Sequence, residues 1–183
     1  KTITDYIIIG FEHILPKGLD HILFVLALFL LSTKFKPLFF QVTFFTIAHS
    51  ITLSLGVLNI VNISPEIVEP IIAISIAYVA FENLFTNKLN KARPFVIFIF
   101  GLLHGLGFAG VLTEIGIPDE LFVSSLISFN VGVELGQVAV ILIAYLLLAL
   151  PFGKQNWYDT RITKPMSLVI AFVGLYWFIE RII

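Results

Sequence analysis

The stretch Gly10-Phe-Glu-His-Ile-Leu-Pro-Lys-Gly-Leu-Asp-His-Ile-Leu-Phe24 sets Glu12, His13, Asp20 and His21 at the start of an apolar run, Ile22 to Leu31. Imidazole and carboxylate together can hold a cation or pass a proton. The chain has 4 histidines. The other two, His49 and His104, stand inside later apolar runs, where an ionisable side chain is costly and marks a functional site by default. There is no cysteine, so any metal must be held by nitrogen and oxygen ligands. His13, Asp20, His21, His49 and His104, with Glu12, are therefore candidate ligands of a transition metal. Imidazole suits zinc, nickel, copper and iron, and carboxylates widen the range.

Three further stretches carry polar groups at helical spacing. Thr46, His49, Ser50 and Leu53 lie on one helical face. Asn130, Glu134 and Gln137 form a second stripe, in which Glu134 has no basic neighbour in sequence and calls for a metal, a histidine or a proton as partner. Ser75, Tyr78 and Glu82 form a third, with Glu82 close enough to its end to meet Lys88 or Arg93 instead. Gly101 with Gly105, and Gly132 with Gly136, are small-xxx-small pairs that let a second helix approach closely, within one chain or between copies in a homo-oligomer. Asp20 and His21 point about 100° apart on a helix. Asp20 either caps the first turn while His21 faces inward, or both line one cavity.

The elements that must position these groups are helices in a bilayer. Of the 183 residues, 58% are apolar and only 13% are charged, against about a half and a quarter in a soluble domain. The net charge of −1 leaves no basic face for nucleic acid. Six apolar runs follow one another: Gly18 to Ser32, Leu38 to Ile60, Glu66 to Phe85, Phe95 to Leu112, Leu121 to Leu150 and Met166 to Ile183. The first is short for a crossing, which takes about 20 residues. Residues 1–17 read as a separate interfacial or re-entrant helix that feeds it, ahead of a six-span domain over 18–183. Ser64 and Pro65 suit the cap and first position of the third span. Pro151 to Pro165 reads as the longest loop.

The loops after runs one, three and five hold 8 of the 11 Lys and Arg, whereas Glu66, Glu69, Glu114, Asp119 and Glu120 edge the loops after runs two and four. The positive-inside rule makes the first set cytoplasmic and puts both termini on the outer side of a cytoplasmic membrane. The chain opens on Lys1 rather than Met, and an exported segment upstream would suit that orientation.

The opening stretch, with F-T-I-A-H-S-I-T-L, H-G-L-G-F-A and F-N-V-G-V-E-L-G-Q, resembles the HupE/UreJ family of bacterial membrane proteins from about Gly10 to Gln137. That family carries an H-P-x-x-G-x-D-H signature. Gly18, Asp20 and His21 fit its end, while His13 lies one residue too far upstream and Pro16 does not directly follow it. The resemblance implies nickel or cobalt uptake across the bacterial inner membrane, with His49, His104 and Glu134 as metal or pathway residues. No nucleotide-binding motif is present, so membrane potential or protons would drive it. A different class stays open on the residues alone. Three histidines, a carboxylate and a serine also describe an intramembrane zinc-type hydrolase, with Asp20 or Glu134 as general base. A metal-binding subunit that transports nothing is the third reading.

Overall fold

The computed structural model describes residues 2–86, 88–115 and 121–183. They form α1 (Ile3–Ile14), α2 (Leu19–Leu31), α3 (Phe35–Val57), α4 (Pro65–Phe85), α5 (Arg93–Ile115), α6 (Phe122–Phe152) and α7 (Asp159–Glu180), with no strand among the described residues. Helices α3 to α7 are each long and apolar enough to cross a membrane, and α1 with α2 makes a sixth candidate bent by 69°. The chain is an all-α, multi-pass membrane protein. Its exposed surface fits that reading, since Phe39, Ile47, Ile51, Leu142, Leu146 and Phe172 all point outward, where lipid rather than water is the favourable neighbour. The acidic loop around Asp119 and Glu120 lies outside the described residues, as does the side chain of Glu114.

Local sequence explains where the helices begin and break. Thr2 opens α1 with a reciprocal cap, its hydroxyl accepting from the Asp5 amide while the Asp5 carboxylate accepts from the Thr2 amide. Pro16, Lys17 and Gly18 then interrupt the helix, and α2 restarts at Leu19. Helix α4 begins at Pro65 as its sequence predicts, although the Ser64 side chain makes no capping bond there. Both late prolines sit inside helices rather than ending them. Each follows a wide π-type turn, Tyr145–Ala149 ahead of Pro151 and Asp159–Thr163 ahead of Pro165. A wider turn gives the proline ring room where the usual bond from its missing N–H cannot form. The expected loop from Pro151 to Pro165 is thereby cut to residues 153–158.

Helix α2 is the centre of the bundle. It buries His21, Phe24, Val25, Ala27, Leu28, Phe29 and Leu30, and touches α1, α3, α4, α6 and α7. Three tight pairs surround it: α3 with α5, α1 with α6, and α4 with α7. Glycines set all three, Gly174 of α7 lying against the α4 backbone at Ala73 and Ala77. Gly101 and Gly105 lie against the α3 backbone at Phe45 and His49, and a side chain on Gly105 would strike the His49 carbonyl. Gly10 of α1 and Gly132 of α6 meet each other's helix backbone, at Phe129 and Ile7 respectively. Ile7, Gly10 and Ile14 follow Gly132, Phe129 and Gly136 in nearly the same order, so α1 runs alongside α6 in the same direction. Thr52 adds a cross-bond, its hydroxyl lying 2.7 Å from the Leu102 carbonyl.

Candidate metal centre

Four helices bring the histidines to one place. His13 ends α1, His21 opens α2, His49 lies eight residues before the end of α3 and His104 lies near the middle of α5. At 1.5 Å per residue, His49 is about 12 Å along its helix from Val57. The break between α1 and α2 turns the chain back so that the His13 and His21 rings lie 4.8 Å apart, centre to centre. His21 is 4.9 Å from His104 and 5.8 Å from His49 on the same measure. His13, His21 and His49 can each offer one ligand atom within 4.8 Å of the others, and so can Asp20, His21 and His104. His21 belongs to both groups.

The hydrogen bonds define which ring atoms are available. His21 Nδ1 lies 3.0 Å from Asp20 Oδ1, so it carries the ring proton and Nε2 keeps its lone pair. His104 Nε2 is 3.2 Å from Ser75 Oγ, whose own hydrogen goes to the Ile72 carbonyl at 2.7 Å. That assigns the proton to Nε2 of His104 and leaves Nδ1 as the free lone pair. Both free atoms are buried without a partner, as are Nε2 of His13 and both ring nitrogens of His49. An unpaired buried polar atom costs about 1–3 kcal/mol. Each histidine can turn one of these nitrogens to a metal, and donors arriving from four helices in two overlapping groups are an arrangement that an ion satisfies; a chemistry of nitrogen donors with one nearby carboxylate suits a transition metal. A carboxylate that orients a ligating imidazole through its other nitrogen is the usual supporting partner in such sites.

Phenylalanines close the centre off. The Phe108 ring is 3.7 Å from that of His13, and Phe45 and Phe24 lie 4.9 and 5.3 Å from His104. Phe129 stands 5.7 Å from His13 and stacks on Phe108. These rings and Ser75 belong to the site, yet with 19 phenylalanines in the chain nothing in the sequence marks four of them.

The remaining candidates take other partners. Glu12 pairs with Lys17 at 2.5 Å, on an exposed flank of the α1–α2 break. Glu134 accepts from Thr43 Oγ1 at 2.6 Å and belongs to neither histidine group. The Thr46 hydroxyl lies 3.0 Å from both the Val42 carbonyl and Gln137 Oε1, while Ser50 donates to the Thr46 carbonyl. Asn130 donates to the Leu126 carbonyl and lies within interaction distance of His49. Glu82 meets Arg93, one of its two expected basic partners, at 2.6 Å. Arg93 is buried and also donates to Gln41 Oε1 at 3.0 Å. This cluster is eleven residues along α5 from His104, about 16 Å away by helix rise, and ties α3, α4 and α5 together. The third stripe thus splits, with Ser75 turned into the centre, Tyr78 exposed and Glu82 held by Arg93.

A helical membrane bundle with a buried, histidine-rich centre is the class that fold and site define. The family model for the HupE / UreJ protein matches residues 1–181, and the chain belongs to that family. No curated protein and no solved structure matches it.

Proposed function

We propose that the chain is a permease for a transition-metal cation of the nickel and cobalt kind, in the cytoplasmic membrane of a bacterium. The observation that carries this reading is the set of five buried, partnerless imidazole nitrogens contributed by four helices. The family supports the same cargo. In this reading α1 and α2 together make one crossing, broken at residues 15–18. Broken helices at mid-depth are tolerated where they line a site or cavity. The basic loops face the cytoplasm and both termini lie outside.

Passage needs sites that bind and also release. His21, shared by the two ligand groups, lets a cation exchange His13 and His49 for Asp20 and His104 without losing every ligand at once. The phenylalanines exclude water from that exchange. A net charge of −1 on the ligand set leaves a divalent cation partly uncompensated, which favours release over retention.

The test is nickel or cobalt flux into proteoliposomes that contain an entrapped metal indicator. Wild type transports, and a His21→Ala, His49→Ala variant of equal yield and fold does not. Equal flux in both would overturn the reading. The second reading, an intramembrane zinc-type hydrolase, draws on Ser75 beside His104. It requires a metal that stays bound through chelator dialysis, whereas a transported cation washes out and rebinds.

A further inference from the structure

Between α3 and α6, and lined by neither ligand group, lies a cavity of about 500 Å³. Ile47, Ile51 and Ile127 are its apolar walls, and each is exposed on the bilayer-facing surface. Behind them stand Thr43 and Ser50 of α3 with Asn130 and Glu134 of α6. Both hydroxyl hydrogens and one of the two Asn130 amide hydrogens are spent elsewhere. Thr43 gives its hydroxyl hydrogen to Glu134 Oε1, Ser50 gives its own to the Thr46 carbonyl, and the Asn130 amide donates to the Leu126 carbonyl. Two oxygens are left buried with no partner, Oε2 of Glu134 and Oδ1 of Asn130. They belong to residues one turn apart on the same helix face.

Such a set is dominated by acceptors. It suits a cation and rejects an anion. The protein supplies no cation of its own: no Lys or Arg occurs between Lys36 and Lys88, or between Arg93 and Lys154. A carboxylate at this depth without a counter-charge is costly. Ligands that are all oxygen select a hard ion over the softer transition metals that imidazole prefers. One carboxylate balances one positive charge, and a proton would need only one acceptor where the cavity presents several.

We propose that Glu134, Asn130 and Ser50 form a second cation site, separate from the histidine centre, that takes a sodium ion. Thr43 positions the carboxylate by holding Oε1. Asn130 sits between the two sites, beside His49 as well as Glu134, so an ion at one changes the setting of the other. That makes the site suited to a coupling ion. Sodium binding itself does not depend on the permease reading.

The experiment measures thermal unfolding of the purified protein in chelator, at equal ionic strength in sodium, potassium or choline chloride. Chelator silences the histidine centre, so the result is independent of any transition metal. Sodium is expected to raise the midpoint in a saturable way, as a ligand of the native state does, with potassium and choline without effect. Glu134→Gln and Asn130→Ala should each abolish the sodium increment, and equilibrium binding of radioactive sodium should fall from one ion per chain to none. The wild-type comparison serves even where a variant fails to fold. Identical midpoints in sodium and choline would overturn the proposal. So would a sodium increment that survives in Glu134→Gln, or a wild type that responds to pH and not to sodium.

Discussion

His21 Nδ1 lies 3.0 Å from Oδ1 of Asp20, the residue immediately before it on α2. The ring is buried and the carboxylate is partly open. The same oxygen also accepts the His21 backbone N–H at 2.8 Å. Asp20 therefore does two jobs. It satisfies an orphan N–H in the first turn of α2, and it fixes the tautomer of the ring that both ligand groups share.

Asp20→Asn keeps an acceptor beside His21 but removes the charge. Metal affinity is expected to fall by about 10–100-fold with stoichiometry retained, as for other partners that orient a ligand. Competition against a chelating dye measures it. An unchanged affinity would limit Asp20 to its role in the helix turn.

The histidines should not be equivalent. His13→Ala leaves the Asp20, His21 and His104 group intact, and His104→Ala leaves His13, His21 and His49. Each is expected to bind metal more weakly. His21→Ala dismantles both groups and should abolish binding. Elemental analysis of the loaded variants gives the order, and a His21→Ala protein that binds like His13→Ala would contradict the shared role.

Removing Arg93 leaves Glu82 and Gln41 without their partner in a buried setting. Arg93→Ala is expected to destabilise by about 3–5 kcal/mol. Replacing both members, as Arg93→Met with Glu82→Leu, should cost less than either single change because no lone charge remains. Unfolding midpoints of the four proteins form the cycle. Metal binding should persist in the double variant, since this cluster stands apart from the histidine centre.

Two glycines on α5 should answer oppositely to substitution. Gly105→Ala forces a methyl group onto the His49 carbonyl and is expected to lower stability by about 1–3 kcal/mol, as overpacking does. Gly110 has nothing within 4 Å of an added methyl. There, alanine should be neutral or stabilising, because glycine is the poorer helix former by about 1 kcal/mol. Thermal unfolding separates the two.

Much of the architecture was legible in the chain. Five of the six apolar runs became helices long and apolar enough to cross, because a bilayer leaves the backbone few options, and the first run reaches that length only together with α1. The break at Pro16-Lys17-Gly18 and the start at Pro65 followed from local chemistry. Pro151 and Pro165 read as loop ends, since a chain shows the missing N–H but not the wider turn that accommodates it. The glycine pairs promised close approach without naming the neighbour. Gly105 found α3, while Gly132 found α1.

The absence of cysteine and the placing of all four histidines in or beside apolar runs were enough to imply a nitrogen and oxygen site. Their convergence was a matter of tertiary structure. Periodicity describes one helix at a time, whereas the centre joins α1, α2, α3 and α5 through contacts distant in sequence. Glu134 makes the same point from the other side. Its stripe with Asn130 and Gln137 was visible, but its partner Thr43 lies 91 residues away on α3. Only packing decided that this carboxylate would face the neighbouring cavity, because helix spacing tells which residues share a face and not which helix that face will meet.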